Sequence, residues 1–318
     1  MKKYQLKTIK FNSLAYAPMV HTYNMAQAPL LPCPASVIGC NHGTHVAGIA
    51  AGRGTSFSGV ARDAKIIAVQ VFSAIYDANT GRFNAAAYAS DLINGFVYIY
   101  DRSSQFSIAA VNLSLGGGQY SGYCDSSAPY YKTAIDLLRS VGIATIVASG
   151  NNGYKSAVSS PACISSAISV GATNKSDRVW TSSNSTSILK LLAPGVSIYS
   201  SIPGSYDYMN GTSMAAPHVT GAFAALRSQL PGASIDTILN ALWNTGVPIM
   251  DSNNLIRPRI QLDAAMNALA PANDKFANAT LLQGASISTG GSNQGATKES
   301  GEPNHAGSSG GRRPLRGL

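Results

Sequence analysis

The feature that most constrains this chain is the rhythm of its apolar segments. Lys65-Ile66-Ile67-Ala68-Val69-Gln70-Val71-Phe72 is a short apolar run without strict alternation, the pattern of a strand buried on both faces. Further strand segments at 109–115, 143–149 and 166–171 are separated by helical stretches. Tyr88, Leu92, Phe96 and Ile99 give residues 85–100 helical spacing, and a second helix is expected over 128–141. Helices near 213–229, 234–243 and 260–269 close the core. Strands alternating with helices predict an α/β fold with a mostly parallel central sheet flanked by helices. That pattern specifies an architecture and no chemistry.

Chemistry enters at residues 210–220, Asn-Gly-Thr-Ser-Met-Ala-Ala-Pro-His-Val-Thr. Here Ser213 stands between a glycine-threonine turn and a small-residue helix. Gly211 permits a sharp turn, Ala215 and Ala216 leave room for a substrate backbone, and the helix points the positive end of its dipole at the serine. Pro217 falls near the first turn, where a missing N–H costs little. The plainer reading of such a serine is a helix N-cap.

Three further segments fit the same chemistry. Asn41-His42-Gly43-Thr44-His45-Val46-Ala47-Gly48 sets a histidine at the head of a small-residue helix. Val111-Asn112-Leu113-Ser114-Leu115-Gly116-Gly117 reads as a buried strand running into bare backbone, and Ile146-Val147-Ala148-Ser149-Gly150-Asn151 as another strand ending in a polar amide. In this order the four segments resemble the subtilisin-like serine peptidases, or subtilases, from about residue 38 to about residue 270. The two longest motifs, around His42 and Ser213, are the specific ones.

The resemblance implies a subtilisin-like three-layer fold and a serine endopeptidase that cleaves peptide bonds through an acyl-enzyme. Carried over residue by residue, Ser213 is the nucleophile and His42 the general base, a role suited to an imidazole that titrates near neutral pH. Asn151 and the backbone N–H of Ser213 donate to the oxyanion. Ser114, Leu115, Gly116 and Gly117, with Ala148, Ser149 and Gly150, are expected to be extended edges that pair with the substrate main chain. No cofactor is required by this chemistry, calcium is a possible structural ion, and no catalytic metal is implied. The partner is a polypeptide and the chain is expected to act as a monomer.

One departure stands against the match. Subtilases place their aspartate upstream of the histidine, yet residues 1–41 contain neither Asp nor Glu. Asp63, Asp77, Asp91 and Asp207 all lie later, and none inherits the role by motif. The expectation is therefore a subtilase core missing its first strand or strands, with neighbouring strands left unpaired. A truncated or mis-started form of a longer precursor, with impaired peptidase activity, follows as the primary expectation. The alternative is an inactive, peptide-binding subtilase-like protein.

The ends differ from the core. Residues 1–37 form an atypical N-terminal segment, 38–270 the catalytic core, and 271–318 a Gly- and Ser-rich linker resembling the truncated start of a β-rich domain. Residues 1–41 carry Lys2, Lys3, Lys7 and Lys10, so much of the formal net charge of +9 is terminal. Basic charge placed there, rather than on a helix face with stacking aromatics, gives no case for nucleic acid. No apolar run is long enough to span a membrane, and no secretory h-region is visible because Lys7, Lys10, Asn12 and Ser13 interrupt it. A full-length relative is expected to be extracellular.

Four cysteines allow three pairings. Cys33 and Cys40 are near in sequence, Cys124 and Cys163 flank the segments leading to Asn151, and two disulfides suit a secreted protein. Cys33, Cys40, His42 and His45 offer a zinc-site reading, but His42-Gly43-Thr44-His45 has neither the glutamate nor the spacing of a zinc-peptidase helix. His218, on an apolar helix, reads as a packed residue rather than a second base. Residues 211–215, Gly-Thr-Ser-Met-Ala, are not a G-x-S-x-G elbow, which argues against an α/β-hydrolase esterase.

Overall fold

The computed structural model of the protein describes residues 5–9, 21–23 and 37–270. The expected linker at 271–318 and Cys33 lie outside the described residues. A nine-stranded sheet runs, from edge to edge, Val247–Met250, Ile256–Arg259, Leu191–Pro194, Ile168–Thr173, Ala144–Ala148, Ile108–Leu113, Gln5–Ile9, Lys65–Val69 and His21–Tyr23. Pairing is parallel from Lys65–Val69 through to Ile256–Arg259, and the outermost strand on each side is antiparallel.

Both faces of this sheet are covered, which is why its central strands carry apolar residues at consecutive positions. Val111, Leu113 and Val147 pack on one side with Leu92, Phe96 and Ile99 of helix Ala89–Asp101 and Ile135 and Leu138 of helix Pro129–Ser140. Ala110, Ile146, Ala148 and Ile168 face the other way, against Val219, Phe223 and Leu226 of helix Thr212–Gln229 and Ile238 and Leu242 of helix Ile235–Thr245. Local signals place the helix starts. Pro129 opens one helix, where its missing N–H is harmless. Ser234 caps another by accepting the Thr237 N–H at 3.0 Å.

The helix His42–Ala51 crosses Thr212–Gln229 closely enough that side chains are excluded at the contact. A Cβ on Gly221 would lie 2.6 Å from Val60 Cβ and 3.0 Å from the Ala50 carbonyl oxygen. Gly221, just beyond the Ser213 motif, thus serves the approach of two helices, one starting at His42 and the other just before Ser213, whereas Gly48 packs against Ser200 and Ser201.

Two expectations need correction. The slot between Lys65–Val69 and Ile108–Leu113 is filled: Gln5–Ile9 pairs in parallel with both, Thr8 standing opposite Ala68 and Asn112. The neighbouring strands therefore keep their main-chain partners, as buried backbone requires, although the strand that fills the slot brings no carboxylate. Second, the apolar run beginning at Lys65 leaves the sheet at Val69, and Phe72 starts a separate hairpin, Phe72–Asp77 with Arg82–Ala87. Asp77 closes its turn by accepting the Asn79 N–H at 2.9 Å and the Thr80 hydroxyl at 3.0 Å. Helix Ala89–Asp101 consequently starts after the hairpin, later than residue 85.

Candidate functional site

Ser213 lies in the first turn of helix Thr212–Gln229, following Gly211, whose φ of +154° turns the chain into the helix. Its hydroxyl is directed at the Ser114 carbonyl oxygen, 3.4 Å away, while the Ser114 hydroxyl donates to the Ser213 carbonyl at 2.7 Å. These reciprocal contacts join the end of strand Ile108–Leu113 to the start of the helix. Behind them, Asn112 Nδ2 donates to Ser114 Oγ at 2.9 Å, and Thr220 Oγ1 donates to Asn112 Oδ1 at 2.9 Å, sharing its proton with the Ala216 carbonyl. Asn112 and Thr220 are buried, so each of these polar groups depends on its partner.

His42 is half-buried in a pocket shared with Val46, Phe72, Asn112, Ser114 and Leu115. Ser114 therefore links the histidine pocket to Ser213. His42 and Ser213 make no direct hydrogen bond, and no described carboxylate reaches the imidazole. Burial, reinforced by the charge of neighbouring His45, lowers the pKa of His42 from 6.5 to about 4. His45 is fully buried, with Nε2 3.0 Å from the Asp207 carbonyl oxygen.

Asn151 is exposed, and its orientation is fixed by chemistry. Its Oδ1 accepts both the Thr212 N–H and the Thr212 hydroxyl at 2.9 Å. Two donors on one oxygen leave Nδ2 as the group free to donate outward. The Thr212 hydroxyl in turn accepts the Gly150 N–H at 3.2 Å. Sequence reasoning did not single out Thr212, Asn112 or Thr220. Only Thr212 had a signal, its place beside the serine in a turn.

The two expected substrate edges differ. Gly116 and Gly117 are exposed and Leu115 lines the histidine pocket, but Gly117 also pairs with Ser160 in a short antiparallel ladder. Along Ala148–Gly150 most main-chain groups are already engaged. Ala148 pairs with Val170 inside the sheet, the Ser149 N–H donates to the Val170 carbonyl, and the Ser149 carbonyl accepts from Ser159 N–H and Asn184 Nδ2. Gly150 donates to Thr212 and its carbonyl accepts from the Asn184 N–H. Ser149 and Gly150 thus offer no open edge.

His218 is half-buried, with Nδ1 2.8 Å from the Met214 carbonyl oxygen within its own helix, as a packed residue would be. Cys124 and Cys163 form a disulfide with a Cα separation of 5.3 Å. Cys40 is also disulfide-bonded, so it has no thiolate to offer zinc. Among the described residues no three His, Cys, Asp or Glu side chains gather in a metal-binding group, and no helix is long and apolar enough to cross a membrane.

Residues 38–285 match the subtilase family, Peptidase_S8. Subtilisin DY of Bacillus licheniformis is 32% identical over 233 residues, covering 71% of this chain and 78% of that protein. The thermophilic serine proteinase of Bacillus sp. (strain AK1) is 37% identical over 193 residues, 59% of this chain and 43% of its own length. The match to subtilisin E of Bacillus subtilis (strain 168) is 37% identical and spans 56% of that protein. Among solved structures, a cold-adapted subtilisin-like serine proteinase superposes with a TM-score of 0.55 at 30% identity, covering 70% of this chain and 73% of that one. A protease from Pseudoalteromonas arctica does so with 0.58 at 28%, covering 71% and 70%. The chain belongs to the subtilase family.

Proposed function

We propose that this chain performs serine-type endopeptidase chemistry on polypeptides, with Ser213 as nucleophile, His42 as general base, and Asn151 Nδ2 with the Ser213 N–H as oxyanion donors. The observation that carries the proposal is the double hydrogen bond from Thr212 to Asn151 Oδ1. It turns an amide N–H pair outward beside the start of the helix that bears Ser213, where negative charge would develop on an acyl carbonyl. Preorganised donors of this kind are usually the largest single contribution to such catalysis.

In the reaction, the Ser213 hydroxyl rotates from the Ser114 carbonyl toward His42 and attacks the scissile carbonyl as the imidazole takes its proton. The resulting oxyanion is held by Asn151 and the Ser213 N–H. His42 then returns the proton to the departing amine, and water hydrolyses the ester by the reverse sequence. Gly116 and Gly117, exposed beside the half-buried Leu115, offer backbone to an extended substrate, whereas Ala148–Gly150 forms a wall. Main-chain recognition reads little side-chain identity, so specificity is broad.

Turnover is slow in this reading because, among the described residues, no carboxylate supports His42. In subtilisin itself, loss of the aspartate alone lowers turnover by about 3 × 10⁴, with roughly 10³–10⁴ over water retained by the oxyanion hole and binding. The bonded state of Cys124, Cys163 and Cys40 supports an extracellular setting. The chain acts as a monomer, and no ligand set for calcium is proposed.

The test is labelling with a fluorophosphonate probe. Labelling that disappears in Ser213→Ala supports an activated serine. Folded protein that does not label would sink the enzyme reading and favour a peptide-binding subtilase-like protein, to be assayed by retention on immobilised unfolded polypeptide.

A further inference from the structure

The loop that carries Asn151 is gripped from inside by a residue that makes no hydrogen bond with Asn151 itself. Asn184 is fully buried. Its Oδ1 accepts the N–H groups of Asn152 at 2.9 Å and Tyr154 at 3.1 Å. Its Nδ2 faces the Ser149 carbonyl at 3.3 Å, Asn152 Oδ1 at 3.3 Å and Ser159 Oγ at 3.4 Å. Its main chain adds two more bonds: N–H to the Gly150 carbonyl at 2.9 Å, and carbonyl from the Ser149 hydroxyl at 2.8 Å. One residue thus holds positions 149, 150, 152 and 154, on both sides of Asn151.

The chemistry at this position is specific to an amide. Two backbone N–H groups converge on one oxygen, which fixes the orientation of the side chain, and the nitrogen is then required as a donor to a carbonyl. An aspartate keeps the acceptor and loses the donor while burying a charge; an aliphatic residue strands two buried N–H groups. Thr212 fixes the tip of the Asn151 side chain from the helix, and Asn184 fixes the backbone from which that side chain springs. A displacement of a few tenths of an ångström matters to an oxyanion donor, whose value depends on being placed before charge develops.

We infer that Asn184 is a positioning residue for the oxyanion donor Asn151, acting through the main chain of residues 149–154. The inference rests on the proposed serine chemistry at Ser213. It assigns to Asn184 a part of the rate and not merely a part of the stability.

The experiment is a double-mutant cycle on the rate of Ser213 phosphonylation by a fluorophosphonate, using the full chain. Asn184→Ala and Asn184→Asp are each made alone and together with Asn151→Ala. Either Asn184 variant alone is expected to slow labelling by about 10- to 100-fold, with most of that loss vanishing in the Asn151→Ala background because the donor to be positioned is gone. An equal loss in both backgrounds, or no loss in the single variants, overturns the inference. Asn184→Asp, close in shape, serves if the alanine variant does not fold.

Amide hydrogen exchange of Asn152 and Tyr154 separates this inference from the reading beneath it. If the parent protein is never phosphonylated, serine chemistry fails and with it the catalytic part of the inference. Exchange at those two amides then shows whether Asn184 holds the loop at all, and unchanged protection in Asn184→Ala overturns that too.

Discussion

Asn151 and Thr212 are bound twice through a single oxygen, the Thr212 N–H and hydroxyl both donating to Asn151 Oδ1 at 2.9 Å. The threonine hydroxyl also accepts the Gly150 N–H at 3.2 Å, so it ties the side chain of one loop residue to the backbone of the preceding one. A helix start and the loop that carries Asn151 are thereby locked together by the residue that precedes Ser213.

Thr212→Val keeps the shape and removes both roles of the hydroxyl. Because Thr212 is buried, the Gly150 N–H is left without its partner, at a cost of about 1–3 kcal/mol. If that cost falls on the placement of Asn151, phosphonylation of Ser213 slows by roughly 10- to 100-fold. Thr212→Ser is expected to retain most of the rate. Stopped labelling at timed intervals measures both, and equal rates in the valine variant and the parent would refute the coupling.

The pH dependence follows from His42. Its pKa is about 4 because its half-buried ring is desolvated and lies beside His45, so the imidazole is already a neutral base well above that pH. Labelling of Ser213 is expected to stay level from neutral pH down to about pH 5 and to reach half its plateau near pH 4. A midpoint near 6.5 would show that the imidazole is better solvated, or better partnered, than this structure has it. Stability moves in the same direction: between pH 6.5 and 4 the unfolded chain binds a proton that folded His42 refuses, so acidification destabilises the fold across that window. His45 and His218 are lowered by burial as well and add to the same trend.

The parallel sheet and its helices were legible because buried strands such as Ile108–Leu113 and Ala144–Ala148 are apolar at every position or nearly so, and periodicity reports that directly. Ser213, His42 and Asn151, the residues of the proposed chemistry, were singled out because contiguous motifs carry them. Gln5–Ile9 was not, since its lysine and glutamine do not read as a central strand. What calls it into the sheet is the pair of open strand edges on either side, a tertiary demand. Asn112, Thr220 and Asn184 were missed for a related reason. Each acts through contacts with residues far away in the chain, 108 positions in the case of Thr220 and Asn112, and a lone polar residue in an apolar or Ser-rich segment gives no local sign of its partner.

Thr220→Val tests that long-range chain. The valine is close to isosteric but leaves the buried Asn112 Oδ1 without the Thr220 donor, a destabilisation of about 1–3 kcal/mol. Asn112 then holds Ser114 less firmly, and Ser114 is the donor to the Ser213 carbonyl. Denaturant unfolding is expected to show the lower midpoint, and substrate turnover a lower kcat with KM little changed. A higher KM at unchanged kcat would place the effect on substrate binding and break the proposed link to Ser213.

The Cys124–Cys163 disulfide joins residues 39 apart in sequence, and both cysteines are almost completely buried. Closing a loop of that length removes denatured-state entropy worth about 4 kcal/mol in the chain-entropy treatment. Cys124→Ser with Cys163→Ser is expected to lower unfolding stability by up to about that amount, and mild reductant alone is expected to act slowly on the folded protein because the sulfurs are shielded. Equilibrium unfolding in guanidinium, with and without reductant, measures both effects.

Gly150 is a position where the loop carrying Asn151 tolerates no side chain. Its φ is +109°, in the region that favours glycine, and a Cβ there would lie 2.3 Å from Asn184 Nδ2 and 2.5 Å from Ser159 Oγ. Both neighbours are buried and hydrogen-bonded, so neither can swing aside without breaking the grip on residues 149–154. Gly150→Ala is therefore expected to displace Asn184 and Asn151 together. Labelling of Ser213 should fall at least as far as in Asn184→Ala, and adding Asn184→Ala to Gly150→Ala should cost little more, because the larger change already removes what the smaller one would. Fully additive losses would mean that the two residues serve the site by separate routes.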